Sequence, residues 1–585
     1  MELNDAVSQV RASPESPRAN DLWDPGTISD EALIAQFRKP AILQARKRFE
    51  QGVLVELTRG TKPVAQFLND GCTVRFLVPG DLRYISADCS DALLPTWVPL
   101  AVWAFRELPA DRLAGLLCLQ QVDLPIPQSV LESLDQHISE LCREGLSGVA
   151  DSWSQKLSRI EPALRTEGLV WLAELVVDLL HQYEMYRLHD ALFDPRHVVQ
   201  LMGELIARMR AIRSGTRAVP QPLIRGTRSD RATDIAGGRM IGVGLGVRPG
   251  KRHTTISAYL QDTDSGSVVA VEQTFADPDP ASGSAPRPFA DLAATVVVRG
   301  VSLANLATSQ LLLKSGKRTP SGQLILPRTA SNLTTHPQSY QWEQLKPPFS
   351  AECFSQLTAR FETLPPSCLR PRRRTENLHV VAVQGVDEVD FNASHQRLTA
   401  RLRDSQGEFA ELIHPFHARA REGFNDLVEV LEQRGDQVRF VCGHVRVSGR
   451  SLQIQPISLI LDDGQRRVGI QPWLPHQIQA TGNTAGLAED ELDAKFSTKS
   501  PIEEFVRRLD EQLSDLLLTG LPRSHASTWT ELAEFTRHIG MVRLTNPIAA
   551  LADTLSSRSN TLRWNAESAV GHTKELCLLS RLAAE

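Results

Sequence analysis

The sequence predicts an α+β protein built from several modules, and three observations carry that reading. At 585 residues the chain exceeds what one hydrophobic core holds, since domains run to about 100–200 residues. Hydrophobic residues recur with a helical period over 97–212 and again over 486–585, but alternate as in strands within 216–328 and 377–475. Stretches rich in Pro, Gly and Ser separate these regions. The expected modules are a flexible tail (1–26), a small helix-plus-antiparallel-sheet module (27–107) and a helical domain (108–215). A β-rich domain (216–328), a linker (329–376), a second β-rich domain with one helix (377–475) and a C-terminal helical domain (486–585) complete the chain.

Taken in order, Ser29 can cap a helix running to about Phe49, and short alternating runs follow in VLVELT, VAQFL and CTVRFLV. From Trp97 to Ile212 the pattern is helical throughout. Asp194 as N-cap and Pro195 at the first position begin a helix that sets Val198, Met202, Leu205, Met209 and Ile212 on one face. MIGVGLGV, TTISAYLQ, the turn from Asp262 to Gly266 and SVVAVEQTF form a strand meander. SLANLATSQLLL is expected to be helical and QLIL a strand. The second β-rich region contains LHVVAVQGV, RLTARLR, a helix over about 418–434, VRFVCGHVRV, SLQIQPISLIL and RRVGIQPW. Ser500 with Glu503, and Thr528 with Glu531, read as capping boxes of two late helices.

Composition narrows the function classes. A net charge of −5 gives no bulk attraction to nucleic acid, so any such binding needs a local basic patch. Of the 64 basic residues 53 are arginine, a choice that suits phosphate and carboxylate recognition but that a GC-rich genome also produces. No apolar run is long enough to span a membrane and the N-terminus lacks a signal pattern. Eight scattered cysteines with no C-x-x-C pair fit reduced thiols in a cytoplasmic protein.

One segment carries a family resemblance. RYISADC followed by SDALLPTWVPLAVWAFRE, from Arg83 to Glu107, lies at the end of a stretch (52–107) that resembles a SWIM-type zinc finger: a small sheet, two ligand pairs and a helix. On that frame the ligand positions hold Ala87, Cys89, Thr96 and Val98. A structural zinc site needs four N or S donors, so no zinc is expected, and burial of residues such as Leu94 and Trp97 would replace it. The resemblance implies an interaction module; the plain alternative is an ordinary strand-to-helix junction.

Other motifs fail on their own chemistry. GVGLGVRPGKR lacks a glycine at Leu245 and has Arg252 where a phosphate loop needs a hydroxyl; its glycines read as sites of close backbone packing. Cys442 and His444 share a strand face, and His414 and His417 lie nearby in sequence. Together they are a candidate metal set, and with it comes an alternative reading as a metal-dependent hydrolase; Asp387, Glu388 and Asp390 could also bind a divalent ion, with a solvated loop as the alternative. A packed cysteine and hydrogen-bonded histidines are the structural alternative. No cofactor is expected.

The basic signals are better. Eleven basic residues against three acidic lie between 201 and 252, among them Arg208, Arg210, Arg213, Arg217, Arg225, Arg228 and Arg231. Arg370, Arg372, Arg373 and Arg374 form a second cluster. On HQRLTARLRD, Arg397, Arg401 and Arg403 share one strand face. The functional reading is contact with the DNA or RNA backbone or with an acidic protein; the structural alternative is a solvated face paired with carboxylates such as Glu503, Glu504 and Asp510. The sequence therefore predicts a non-enzymatic adaptor or accessory subunit using arginine-rich surfaces. By analogy it would work beside a motor or nuclease in a bacterial DNA-processing or defence assembly. A scaffold that binds only proteins is the third reading.

Overall fold

The computed structural model describes residues 23–583 apart from 51, 69, 120–124, 191–192, 216–218, 227–231, 251–252, 279–284, 299, 327–332, 393–395, 449–450, 477–500 and 559–565. The expected tail (1–26) lies almost wholly outside them, as does Ser500. Among the described residues no helix is long and apolar enough to cross a membrane.

Two helices open the first module. Ser29 accepts from the amide of Ala32 and caps α1 (Asp30–Phe37), which stops at Arg38, whose φ is +65°, before α2 (Lys39–Glu50) begins. One helix was expected here. Pro40 lacks the amide that a continuous helix would bond to the carbonyl four residues back and is tolerated only in a first turn, and this accounts for the break. The sheet contains β1 (Val53–Thr58), β2 (Val64–Phe67), β3 (Cys72–Phe76) and β4 (Ile85–Ala87), and α3 (Leu94–Glu107) packs on it. Its fifth strand, β5 (Ala114–Leu119), pairs with β1 and falls where the sequence suggested helix. Cys89 is 1% exposed and sits in this apolar core with Trp97 and Val98.

Next come α4 (Gln128–Glu144), α5 (Ser152–Thr166), α6 (Val170–Arg187), α7 (Pro195–Ser214) and the short α8 (Gln221–Arg225). Asp194 caps α7 by accepting from the Arg196 amide, and Pro195 stands at its first position. Val198, Met202, Leu205, Met209 and Ile212 are all buried, each contributing about 1.5–3 kcal/mol of burial.

The second sheet consists of β6 (Thr233–Arg248), β7 (His253–Asp262) and β8 (Val268–Ala276), with α9 (Phe289–Ala293), β9 (Val296–Val298) and β10 (Val301–Ser302) leading to α10 (Leu303–Thr308). SLANLATSQLLL divides at Ser309: its second half is β11 (Ser309–Arg318), which pairs with β6 over most of its length. Burial against β6 outweighs the local helical preference there. β12 (Leu324–Ile325) and β13 (Leu333–Pro337) both pair with β11. A Cβ on Gly242 would lie 2.2 Å from the Leu306 carbonyl oxygen, so a side chain there would drive α10 off β6.

The 329–376 stretch holds more order than a linker needs, with β14 (Ser350–Ala351) and α11 (Phe354–Thr363). A closed barrel follows: β15 (Leu378–Ala382), β16 (Gly385–Asn392), β17 (Arg397–Arg403), β18 (Phe409–Pro415), α12 (Arg421–Gln433), β19 (Val438–Ser448), β20 (Ser451–Asp462) and β21 (Arg467–Ile470). The strand order is β15-β19-β20-β18-β17-β16. Its two ends, β15 and β16, are halves of one bent strand, so the sheet closes on itself. β18 and β20 run parallel, and the helix lies between the third and fourth strands of the barrel. That is the Greek-key barrel of the OB-fold. Leu398, Ala400, Leu402, Leu412 and Val441 fill the interior with Phe424 and Leu427 of α12 beneath them.

The chain ends in α13 (Pro501–Thr519), α14 (Ala526–His538), α15 (Val542–Ser557) and α16 (Ala566–Ala583). Thr528 lies inside the first turn of α14, where its hydroxyl donates to the His525 carbonyl, so it is not the N-cap. These four helices share one core with α4–α7: Phe505, Trp529 and Leu576 pack among Leu134, Leu172 and Leu205. A Cβ on Gly203 of α7 would lie 2.5 Å from the Cys577 carbonyl oxygen of α16, so the two backbones meet closely there.

Candidate nucleic-acid interface

In an OB-fold the second and third strands present the face that takes oligonucleotides or oligosaccharides. Here those strands are β17 and β18. Alternation puts Leu398, Ala400 and Leu402 inside and Arg397, Thr399, Arg401 and Arg403 outside. Phe409, Glu411, Ile413 and Pro415 face outward on β18, and Gln453 on β20 and Arg446 on β19 continue the row.

Part of this face forms one wall of a cleft of about 1070 Å³. Arg397, Ile413, Pro415, His444, Arg446 and Gln453 come from the barrel, Arg248, Tyr259 and Glu272 from the second sheet, and His197 with its helical neighbours from the bundle. Segment 370–377 and Arg581 of α16 complete it. Nine arginines and five carboxylates line this space, so its charge is positive although the protein's is negative.

The guanidiniums differ in what holds them. Arg372 is fully engaged, with Asp178 at 2.6 Å, Glu204 at 3.5 Å and Glu174 at 3.9 Å. Arg248 and Arg374 share one carboxylate, Glu272, at 3.3 and 3.0 Å. Arg446 donates to Gln453 Oε1 at 2.7 Å, a neutral partner. Arg397 is exposed and has no carboxylate within ion-pair distance among the described residues. Desolvation first, then the nearby charges of Arg397 and Arg581, hold the Arg446 guanidinium below its ordinary pKa, with Glu411 opposing. Three like charges therefore crowd one wall. The floor is neutral: burial lowers His444 to about 4 and raises Tyr259 to about 12, and the two meet at 3.3 Å.

The remaining arginines of the sequence clusters lie elsewhere. Arg208 is fully buried, bonded to Glu204 and to the carbonyls of Leu223, Ile224 and Arg370. Arg225 is buried and donates to the Pro125 carbonyl, and Arg213 binds the Leu131 carbonyl and lies 3.9 Å from Asp135. Arg210 is exposed. Arg217, Arg228 and Arg231 fall outside the described residues. Arg370 binds the Pro365 carbonyl and Arg373 that of Leu68. On β17, Arg401 meets Glu388 at 3.7 Å and Phe409 at 3.8 Å, and Arg403 meets Asp387 at 3.1 Å. The carboxylates of Asp387 and Glu388 thus face arginines.

His414, His417, Cys442 and His444 occupy separate environments. His414 lies inside the barrel against Phe424 and Trp473. His417 Nδ1 accepts from the Arg419 amide. Cys442 packs between the barrel and the second sheet, and His444 meets Tyr259. Among the described residues no three His, Cys, Asp or Glu side chains gather as a metal set. What sequence reading missed was Arg446 and Arg581, because Arg446 is one of two arginines on a largely apolar strand and Arg581 arrives from the far end of the chain.

Residues 128–226 match the family model of the YehQ four-helical bundle domain, and residues 375–494 that of the YehQ C-terminal OB-fold domain. The second match coincides with the closed barrel. The chain is also similar to Protein YehQ of Escherichia coli (strain K12), at 22% identity over 479 residues, covering 77% of this chain and 76% of that protein. These matches overturn the SWIM-type zinc-finger resemblance of residues 52–107: the likeness is to YehQ proteins, and Ala87, Cys89, Thr96 and Val98 offer one thiol in an apolar core.

Proposed function

We propose that this chain is a nucleic-acid-binding accessory subunit that holds a single strand by its phosphate backbone in the cleft beside the OB barrel. One observation carries the reading: the β17–β18 face opens on a space where Arg397 and Arg446 stand close to Arg581 and nine arginines face five carboxylates. A phosphate backbone supplies the missing negative charge. Ile413 and Pro415 stand on this wall in place of stacking aromatics, so the contacts favour backbone over bases and little sequence preference is expected. One OB barrel covers about 4–16 nucleotides, which sets the probe length.

The test is anisotropy of a labelled mixed-sequence 12-mer titrated with the full chain across salt. Affinity at low salt should fall as salt rises, with a slope of about −0.7 per contacted phosphate. Arg397→Glu with Arg446→Glu should abolish most of it. A chain that fails to bind at low salt, or binds equally well with both charges reversed, refutes the proposal.

A further inference from the structure

Cys89, the one thiol among the four finger positions, has a partner across the first sheet. β3 and β4 run antiparallel, with Val74 opposite Ala87 and Phe76 opposite Ile85. The pairing continues past β4, because the Asp88 amide donates to the Thr73 carbonyl at 3.2 Å and the Asp88 carboxylate accepts from the Thr73 amide at 2.6 Å. One step further along the same register, Cys72 stands opposite Cys89. Hydrogen-bonded and non-hydrogen-bonded pairs alternate along an antiparallel ladder. Leu77 with Tyr84 and Thr73 with Asp88 are bonded pairs, so Cys72 with Cys89 is a non-bonded one. Such pairs bring Cα atoms to about 4.5 Å, within the roughly 4.4–6.8 Å that a disulfide spans. The two thiols meet: burial first, and then a hydrogen bond to Cys89, hold the Cys72 thiol above its ordinary pKa.

Both cysteines are 1% exposed and belong to the core of the first module. Their flanks hold the second sheet. On the Cys72 side, the Asp70 carbonyl accepts from the Thr233 hydroxyl at 2.5 Å and the Gly71 carbonyl accepts from Arg318. On the Cys89 side, Asp88 pairs with Arg318 at 2.9 Å and the Ser90 amide donates to the Asp234 carbonyl at 3.1 Å. The start of β6 and the end of β11 thus dock on the residues that flank the thiol pair. β4 is an edge strand of three residues that pairs with β3 alone. A short element held on one side opens before the sheet does, and its opening uncovers both sulfurs.

We propose that Cys72 and Cys89 are an oxidation site, at which hydrogen peroxide closes a cross-strand disulfide that locks the joint between the first and second sheets. In the closed chain burial keeps the Cys72 thiol protonated, and the thiolate is the nucleophile, so the reaction waits on the opening of β4. One sulfur attacks the peroxide O–O bond and becomes a sulfenic acid, releasing one water; the other sulfur displaces the sulfenic oxygen as a second water. Two S–H bonds and one O–O bond break, and one S–S bond and two O–H bonds form. Two electrons pass from the sulfurs to the peroxide oxygens, and a dithiol returns them by exchange.

The experiment treats the reduced full chain with millimolar hydrogen peroxide, alkylates the remaining thiols in denaturant and maps tryptic peptides by mass spectrometry. Trypsin cuts after Arg75 and Arg83, so the two cysteines fall in different peptides. The expected product is those peptides joined, lighter than their sum by two hydrogens and parted again by dithiothreitol. Hydrogen exchange of the Ser90 amide, whose acceptor belongs to the second sheet, should slow at least about tenfold in the oxidised chain. Cys89→Ala should lose both effects. Cys118→Ser, which alters the one cysteine that is not buried, should keep both. If Cys89→Ala fails to fold by circular dichroism, the wild-type map and exchange decide. Recovery of Cys72 and Cys89 as separately alkylated thiols, linkage of either to another cysteine, a disulfide that leaves Ser90 exchange unchanged, or a folded Cys89→Ala that keeps either effect overturns the proposal. Arg397→Glu with Arg446→Glu should oxidise as the wild-type chain does, which separates this result from the fate of the cleft.

Discussion

The arginines of α7 and those of β17 are clustered alike along the chain, three within seven residues or fewer, yet they end in different places. Arg208, Arg210 and Arg213 follow one another on a helix, where steps of two and three residues turn the side chain by about 200° and 300°. Arg208 accordingly enters the core, Arg210 meets solvent, and Arg213 reaches across to α4. Arg397, Arg401 and Arg403 differ by even numbers on a strand, so all three stand on one face. A linear run of positive charge becomes a surface only when its spacing matches the period of the element that carries it. Even then neighbours decide, because β16 sets carboxylates against Arg401 and Arg403 and leaves Arg397 to the cleft.

That comparison can be broken at its largest point with Arg208→Ala. It removes the donor to the Leu223, Ile224 and Arg370 carbonyls and leaves Glu204 with Arg372 alone. Loss of one partner of a buried pair costs about 3–5 kcal/mol, read as a fall in the urea midpoint, while strand affinity of the folded fraction should not change. Next is the pair Arg397→Glu with Arg446→Glu, whose effects should be opposite in kind. Stability should stay within about 0.5 kcal/mol, while oligonucleotide affinity falls and the log–log salt slope shrinks by about 1.4 if each guanidinium meets one phosphate. A smaller loss belongs to Arg213→Ala, which gives up one hydrogen bond to the Leu131 carbonyl; about 1 kcal/mol in thermal or chemical denaturation is expected. The smallest is Arg401→Ala, whose partner Glu388 is 75% exposed: no more than about 0.5 kcal/mol, and a measurable change in strand affinity would extend the binding face beyond the cleft.

Much of the fold was legible. Asp194 and Pro195 announce α7 because a cap and a fixed φ act locally. The turn at Asp262 was equally readable, since its carboxylate accepts from the amides of Asp264 and Ser265. What failed had non-local causes. β5 and the front of β11 look helical until β1 and β6 offer them hydrogen bonds. The cleft was half legible: Arg374 and Arg397 belong to visible clusters, whereas Arg446 and Arg581 do not.

By itself, the sequence determined the α+β character, the order of helical and strand-rich regions and the outward arginine face of β17, because periodicity and capping act within a few residues. Tertiary structure decided that the first and last helical regions share a core, that β15 and β16 close a barrel, and which guanidiniums are neutralised. The physical reason is range. Burial and Coulomb energy depend on distances in space, and the residues that supply them here stand hundreds of positions apart, as Arg143 and Glu567 do at 2.6 Å.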